Sequence, residues 1–429
     1  MDSFAYRNGK LQVERVDVGD IVAEVDTPVY LYSRKTFEDH LDKIQRAYRD
    51  LDTVVCFSVK ACANINILRF MAEKGSGFDI VSGGELYRAL EAGADPSKVV
   101  YAGVGKTDAE INQALDAGIA YFNIESEQEL ENLIRLADQR PHGVGPVPKA
   151  ALRVNPDIDY GEHAFLKTGK KETKFGVDID RAVEVFDRYG QNPSVSLSAV
   201  HVHLGTGGKT IDPYVQAVQK ILSLIETLRK QGHTVEALDL GGGYGAAYTT
   251  GAAPPAEAYA AGLVPLLKGK GLRLILEPGK SICANAGILL TRVLYTKQSG
   301  NKRFAIVDAG MNDLIRPSLY RAFHFIWPTE VTRPFVPPAR TDALDMDGTQ
   351  VVDVVGPVCE GADFFAKDRL LPPLQRGDLL AIFSAGAYGF TMSSNYNSRC
   401  RVPEVLVEDD SFRVIRRRES YKDLVALEQ

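Results

Sequence analysis

Between residues 53 and 277 the chain alternates short apolar runs with longer amphipathic stretches. The apolar runs have the length and β-branched composition of buried strands, and they fall at 53–60, 77–82, 99–103, 121–126, 149–155, 195–204, 237–241 and 273–277. Between them apolar residues recur at helical spacing, and the predicted helices include 64–74, 84–92, 107–117, 126–138 and 214–230. Eight strand-then-helix units predict an α/β fold, a closed (β/α)8 barrel of the TIM type. An open doubly wound sheet has the same periodicity and stays possible at this point.

After residue 285 the helical pattern fades and strands dominate. Strand-like runs lie at 288–296, 303–308, 350–355, 379–383, 403–407 and 411–416, and the proline-rich stretch 328–339 predicts a surface loop. Further strand-like runs lie near 11–32. We therefore expect a barrel domain at 35–280 and a mostly β second domain, a sandwich or barrel, formed by 1–34 and 281–429.

Composition narrows the class of protein. The 429 residues are 45% hydrophobic and 25% charged, which is typical of a soluble globular enzyme with ample cores. A net charge of -6 and the lack of a basic run with aromatic residues argue against nucleic acid as a partner. No apolar stretch reaches the ~18 residues of a membrane span, and the polar first ten residues predict no signal peptide. The five cysteines form no C-x-x-C pair, so we expect reduced thiols, no zinc site and a cytoplasmic location.

Polar residues and glycines stand at the carboxyl ends of the predicted barrel strands, where such barrels place their active sites. Lys60 ends the apolar run 54–59, and a buried lysine usually has a lowered pKa or forms a Schiff base. The alternative is a lysine that leaves the strand for solvent. The other strand ends carry Ser82-Gly83-Gly84, Arg153, His201 and His203, Gly241-Gly242-Gly243, and Glu277-Pro278-Gly279-Lys280.

Each of these motifs has an ordinary structural explanation. A triple glycine is either a plain turn or a cradle of backbone N–H groups for phosphate. His201 and His203 are two residues apart, so they should point to opposite faces of a strand, and at most one should face the barrel mouth. No third ligand accompanies them, so we predict no metal site. Together, however, a lysine for an imine, a phosphate cradle, a flat ring and a carboxylate for a ring nitrogen are the parts that pyridoxal 5'-phosphate requires.

Longer motifs strengthen this interpretation. FSVKACAN, GFDIVSGGEL, RVNPD, KFGVD, HVHLG, DLGGGYG and EPGK occur in the order of the barrel motifs of fold-type III pyridoxal-phosphate decarboxylases, which they resemble. HAFLKTGKKETKFGVD (163–178), MNDLIRPSLY (311–320), VGPVCEGAD (355–363) and GAYGFTMSSNYNSR (386–399) resemble the diaminopimelate decarboxylase family. The resemblance covers essentially the whole chain.

The resemblance implies roles for residues of the barrel. Lys60 would form the Schiff base with the cofactor, His203 would stack on its ring and Glu277 would pair with the ring nitrogen. Gly241, Gly242 and Gly243 would bind the phosphate. The same cofactor site would include the residues Asp79, Arg153, Thr206, Gly279, Lys280 and Tyr388.

For the second domain the resemblance implies a substrate site and a homodimer. Arg316 and Tyr320 would hold the distal carboxylate of the substrate, with Lys280 and Tyr388 close by. Cys359, as proton donor, and Glu360 would enter the active site of the partner subunit. A guanidinium suits a carboxylate and would repel the distal ammonium of ornithine or lysine. A buried packing cysteine is the ordinary alternative for Cys359.

Two departures from the family pattern bear on the substrate. Lys280 stands where the family usually has arginine, and it keeps the charge but not the bidentate fork. Gly205-Thr206-Gly207 replaces the usual Gly-Ser-Gln. A decarboxylase of the same fold with another substrate, such as carboxynorspermidine, and a non-catalytic cofactor-binding relative therefore stay as alternatives. A racemase is less favoured, because it needs an acid/base on both faces of Cα and Cys359 is the only evident donor besides Lys60.

Overall fold

A computed structural model describes residues 2–141, 145–158, 174–205, 210–251, 253–342 and 344–428. Its strands, numbered along the chain, are β1 Phe4–Arg7, β2 Lys10–Val13, β3 Val16–Asp17, β4 Val29–Ser33, β5 Thr53–Ser58, β6 Gly77–Ile80, β7 Val99–Tyr101, β8 Tyr121–Ile124, β9 Lys149–Asn155, β10 Val177–Asp178, β11 Ser196–His201, β12 Ala237–Asp239, β13 Arg273–Leu276, β14 Gly287–Ser299, β15 Lys302–Val307, β16 Ile326–Pro328, β17 Gln350–Val355, β18 Phe364–Leu371, β19 Leu379–Ile382, β20 Glu404–Glu408 and β21 Ser411–Arg416. The α-helices are α1 Val18–Val25, α2 Arg34–Ala47, α3 Ile65–Glu73, α4 Gly83–Glu91, α5 Asp108–Ala117, α6 Glu127–Asp138, α7 Ala182–Tyr189, α8 Asp212–Lys230, α9 Ala256–Leu267, α10 Lys280–Cys283, α11 Arg316–Tyr320 and α12 Tyr421–Leu424. The chain divides into two compact units, one of 41–245 and 253–279 and one of 1–40, 246–252 and 280–429.

The first unit is a closed barrel of eight parallel strands. β5, β6, β7, β8, β9, β11, β12 and β13 pair in that order, and β13 pairs with β5 to close the ring. The predicted barrel is confirmed, and the open sheet is ruled out. Seven of the eight predicted strands extended one to three residues beyond the observed carboxyl ends. Those extra residues leave the sheet and form the rim.

Serine caps fix where the chain turns into the helix after two of the barrel strands. The Ser82 side chain accepts from the Glu85 N–H at the start of α4, and Ser126 does the same for Glu129 at the start of α6. Such caps satisfy backbone donors that the first helical turn leaves open. These two strand-to-helix turns are therefore encoded locally.

The inward-facing residues of the barrel change from apolar to polar at one level. The apolar core cluster is Cys56, Val100, Tyr121, Ala151, Ala199, Ala237 and Ile275. Because side chains of a strand alternate between faces, the next inward residue lies two positions further on. On six strands that position is polar and buried, at Ser58, Asn123, Arg153, His201, Asp239 and Glu277. A buried, mostly apolar layer thus lies beneath a polar layer.

The second unit is built mainly on a mixed β sheet. β14 pairs antiparallel with β4, β15 and β19, and β4 pairs parallel with β20, so a strand near the N-terminus completes this sheet. β1, β2 and β3 form a separate three-stranded sheet. The predicted mostly β domain is confirmed as a fold class, although β16, β18 and the helix α1 were not predicted.

Two further expectations concern membrane-spanning helices and disulfide bonds. Across the described ranges no helix is long and apolar enough to cross a membrane. The five cysteines, all of which the structure describes, form no disulfide bond among themselves.

Candidate active site

Lys60 lies in a single 3-10 turn, Val59–Ala61, directly after β5. The strand was predicted to run to Lys60, but it ends at Ser58, whose N–H donates to the Pro278 carbonyl. The Lys60 Nζ lies 2.5 Å from Oδ2 of Asp79, which is fully buried, while the lysine side chain keeps a third of its surface exposed. Lys60 is therefore a half-buried, ion-paired amine on the rim.

Glu277 is buried directly after β13, among polar side chains of the inward layer. The Asn123 amide donates to Glu277 Oε1 at 3.0 Å, and His201 Nε2 lies 3.6 Å from Glu277 Oε2. Burial opposes ionisation of Glu277, but His201 and then Lys60 outweigh it and hold the pKa of Glu277 below its usual range. Glu277 is thus an anion that could pair with a cationic ring nitrogen.

Both histidines of the HVH motif adjoin this site, so the expectation that at most one would do so is wrong. β11 ends at His201, and the strict alternation of strand faces stops there. His203 Nδ1 accepts from the Gly242 N–H at 3.1 Å. Burial and then the charge of Arg153 hold the pKa of His203 well below its ordinary value, so its ring is neutral.

The glycine turn after β12 packs too closely for side chains. Gly241 and Gly243 have φ of 64° and 93°, a region that favours glycine. A Cβ on Gly243 would lie 2.1 Å from the Gly205 carbonyl oxygen, and one on Gly242 would lie 2.3 Å from that of Glu277. The Tyr214 hydroxyl donates to the Gly242 carbonyl at 2.7 Å. This turn is a tightly held backbone segment.

Arg153 and Gly279 complete the predicted residues of the barrel. Arg153 Nη1 donates to Glu125 Oε1 at 2.7 Å, and both side chains are buried. A Cβ on Gly279 would lie 2.9 Å from the Ser58 Cβ, so this position has room only for glycine. Thr206, with Gly207 and most of the segment 163–178, lies outside the described residues.

The chemical types of these residues fit the binding of pyridoxal phosphate. Within the described part of the chain, Arg153 Nε, Asp79 Oδ1 and both His201 ring nitrogens are buried without a hydrogen-bond partner. Buried polar atoms are normally satisfied, so such atoms around a glycine turn suit a polar ligand. The half-buried Lys60 amine, the neutral His203 ring and the Glu277 anion match what the cofactor needs.

The second unit contains a different cluster, which we call the cation pair: Lys280, Arg316 and the Tyr248 ring between them. The Arg316 Cζ lies 5.0 Å and the Lys280 Nζ lies 5.6 Å from the centre of the ring. Arg316, which is buried, also donates to the Tyr248 hydroxyl. Burial and then the charge of Arg316 lower the pKa of Lys280 to about 8. Neither cation forms an ion pair with any residue that the structure describes.

Tyr320, Tyr388, Cys359 and Glu360 also lie in the second unit. Tyr320 ends α11, the short helix that Arg316 begins, and Tyr388 has a φ of 53°. Cys359 and Glu360 are exposed, and the Cys359 N–H donates to Asn397 Oδ1 at 2.7 Å. Cys359 is therefore not a buried packing cysteine in the single chain, and that alternative is wrong.

Sequence reasoning missed Asn123, Asp239 and Tyr248, and it gave His201 no role. Asn123 and Asp239 could have been found by counting two residues on from the apolar inward positions Tyr121 and Ala237. Tyr248 follows the glycine turn without any local signal, and only the fold brings it to Arg316.

Comparisons with known proteins agree with this geometry. Residues 34–284 match the family model "Pyridoxal-dependent decarboxylase, pyridoxal binding domain". A diaminopimelate decarboxylase from Vibrio cholerae is 44% identical over 100% of this chain and 99% of its own length, and one from Aquifex aeolicus is 43% identical over 98% and 96%.

Solved structures give the same result. A diaminopimelate decarboxylase from Helicobacter pylori, complexed with L-lysine, has a TM-score of 0.88 at 39% identity, covering 96% of this chain and 99% of that one. The enzyme from M. jannaschii in complex with L-lysine has a TM-score of 0.90 at 32% identity, covering 99% and 97%. The chain therefore belongs to the pyridoxal-dependent decarboxylases and, within them, to the diaminopimelate decarboxylase family.

Proposed function

We propose that this protein is a diaminopimelate decarboxylase, which uses pyridoxal 5'-phosphate to convert meso-2,6-diaminopimelate to L-lysine and carbon dioxide, the last step of lysine biosynthesis. Full-length identity to enzymes of that name supports the reaction. The cation pair is the observation that carries the choice of substrate. A buried arginine and a half-buried lysine without an anionic partner among the described residues form a site for a carboxylate.

The barrel residues would hold the cofactor. Lys60 would bind its aldehyde carbon, His203 would lie on its ring and Glu277 would pair with the ring nitrogen. Gly241, Gly242 and Gly243 would offer backbone N–H groups to the phosphate. When bound, the cofactor supplies an electron sink for the bond to the lost carboxyl group. We propose that this cofactor domain spans residues 35–280, with Asp79, Arg153 and Gly279 in its site.

The protein residues then have separable tasks. Asp79 holds the Lys60 ammonium at 2.5 Å and so keeps that amine oriented. His203 is neutral, so its ring adds no positive charge beside the protonated ring nitrogen. Arg316 and Lys280, with Tyr320, would bind the distal carboxylate of diaminopimelate. Ornithine or lysine bound as a substrate for decarboxylation would place its distal ammonium there and would be repelled.

We further propose a cytoplasmic homodimer in which Cys359 donates the proton to Cα in the site of the partner subunit, with Glu360 beside it. The support is that Cys359 is exposed while its backbone is fixed by Asn397. An exposed, ordered thiol suits a role on a neighbouring chain. Tyr388 would contribute to both the phosphate and the substrate site, as in the family pattern.

The direct test is product identification. Purified protein with pyridoxal phosphate is incubated with meso-diaminopimelate, carboxynorspermidine, ornithine and lysine, and carbon dioxide and amine products are measured. We expect release from diaminopimelate with L-lysine as the product, and none from Lys60→Ala. Release from carboxynorspermidine alone would replace the proposed substrate, and a cofactor-loaded protein without turnover of any of the four would favour a binding protein.

A further inference from the structure

Asp239, at the end of β12, lies beside Glu277 and is fully buried. One Asn123 amide group donates to both acids, at 3.1 Å to Asp239 Oδ2 and at 3.0 Å to Glu277 Oε1. The other Asp239 oxygen accepts from the Gly241 N–H at 2.8 Å. Asp239 therefore connects the glycine turn to the side chains around Glu277.

Counting charges among the described residues of this layer leaves one acid without a cation. Lys60 pairs with Asp79, and Arg153 pairs with Glu125. Asp239 and Glu277 then share one histidine, His201. One side-chain nitrogen or oxygen atom of each of these three residues lies within 4.8 Å of those of the other two. Two buried carboxylates this close do not both ionise, because each disfavours the charge of the other.

The groups around each carboxylate decide which of Asp239 and Glu277 holds the proton. His201 Nε2 lies 3.6 Å from Glu277 Oε2, whereas the hydrogen bonds that Asp239 accepts come from neutral N–H donors, those of Asn123 and Gly241. Burial and then the charge of Glu277 raise the pKa of Asp239 well above its usual value. Among the described residues, the ionisable groups that face this layer from the surrounding elements are Cys56, Lys60, Asp79, Glu125, Arg153, His201, His203 and Glu277.

We propose that Asp239 is a neutral carboxylic acid in the folded protein and a positioning residue that holds Glu277 as the anion facing the cofactor. Its consequence for catalysis rests on the proposed function, but its protonation does not. A neutral Asp239 can donate to Glu277 while its oxygens still accept from Asn123 and Gly241. It thereby ties the position of the Glu277 carboxylate to that of the glycine turn.

The first test uses the cofactor-free protein, so it is independent of any activity. A buried acid with a raised pKa keeps a proton that the unfolded chain releases, so wild-type stability falls as pH rises above the unfolded value of about 3.9. Asp239→Asn has the shape of the neutral acid but cannot lose a proton. Its urea midpoint, relative to wild type, should therefore rise from pH ~5 to pH ~8.

Glu125→Gln is the matched control, since it makes the same change in a buried acid that has a cation partner. It leaves the Arg153 charge uncompensated, so its urea midpoint should lie below wild type at neutral pH. An Asp239→Asn midpoint that falls below wild type to the same extent would overturn the proposal, because it would show that Asp239 is ionised. Stabilisation of metal-free protein by Zn²⁺ that Asp239→Asn abolishes would also overturn it, since a metal would then replace the proton.

The second test addresses positioning. Asp239→Leu removes the polar atoms and should weaken pyridoxal phosphate binding at least ~10-fold, because Asn123 and the Gly241 N–H lose their acceptor. Asp239→Asn should recover most of that loss and restore the long-wavelength absorbance of the bound cofactor. Equal loss in both variants would overturn the positioning role. Failure of the proposed function alone would leave both measurements unchanged.

Discussion

Lys280 and Arg316 lie against the same aromatic ring, that of Tyr248, with the arginine also donating to its hydroxyl. Two like charges that share one ring raise the free energy of each other's charged form. The smaller cation shows the effect, since burial and then Arg316 lower the pKa of Lys280 to about 8. An anion bound between them would relieve this repulsion. The cation pair should therefore bind a carboxylate, and this binding should depend on pH.

The first prediction concerns pH. In wild type, Lys280 loses its charge above pH ~8, so we expect the KM for diaminopimelate to rise about tenfold between pH ~7 and pH ~9.5 with little change in kcat. Lys280→Arg keeps its charge throughout, because arginine does not titrate in this range. In steady-state kinetics over that range, its KM should therefore rise clearly less than that of wild type. Ionisation of the substrate amines affects both proteins alike, so a rise of equal size in the variant would exclude Lys280 as the cause.

A second prediction concerns the Tyr248 hydroxyl. Tyr248→Phe keeps the ring but removes the partner of Arg316, so we expect KM to rise ~3- to 10-fold while kcat changes little. Tyr6→Phe is a matched control, because the Tyr6 hydroxyl donates to the Pro328 carbonyl, also at a part-buried site of this unit. It should lower thermal stability without changing KM. A drop in kcat with unchanged KM for Tyr248→Phe would place the hydroxyl elsewhere in the reaction.

The barrel was predictable because its signal is periodic. Each of its strands is an apolar run bounded by a turn. Eight such units favoured a closed barrel over an open sheet, and the pairing of β13 with β5 in the structure decides between them. The strand ends were overestimated because rim residues such as Val59 are as apolar as strand residues. Their backbone leaves the sheet for a 3-10 turn, which composition does not reveal.

The site was predictable only where its residues lie in motifs. Glu277 precedes the Pro278-Gly279 pair that marks a strand end, and Lys60 ends an apolar run. The hydrogen bonds from Asn123 to Asp239 and Glu277 join residues 116 and 154 positions apart, so they depend on barrel closure. β18 was missed because it pairs with β17 in an irregular register, and the alternation of residues expected of a strand is lost.

A third prediction concerns stability. The Lys106 side chain is almost wholly buried, and its Nζ lies 2.6 Å from Glu129 Oε1 and donates to the carbonyls of Gly103 and Asn123. Lys106→Met should lower the free energy of unfolding by about 3–5 kcal/mol at neutral pH, because Glu129 keeps a buried charge without its partner. Urea unfolding measures this loss.

The same variant has a pH signature. Burial already raises the pKa of Glu129 against the opposing charge of Lys106, and removing that charge raises it further. Glu129 would then take up a proton at mildly acidic pH, so the deficit of Lys106→Met should shrink as pH falls. Lys106→Met/Glu129→Gln should recover part of the stability at neutral pH. A deficit that is the same at every pH would indicate a packing defect.

The last prediction tests the shared site. If Cys359 acts in the partner subunit, a heterodimer of one Lys60→Ala chain and one Cys359→Ala chain has one intact site and one doubly defective site. Differently tagged chains, co-expressed and purified through both tags, should then show about half of wild-type activity per dimer. Each variant as a homodimer should be nearly inactive. Lys60→Ala paired with His203→Ala is the control, because both lesions lie in the barrel unit, so each site of that heterodimer keeps one of them. If instead each chain completes its own site, both heterodimers stay inactive and the proposed exchange of Cys359 is excluded.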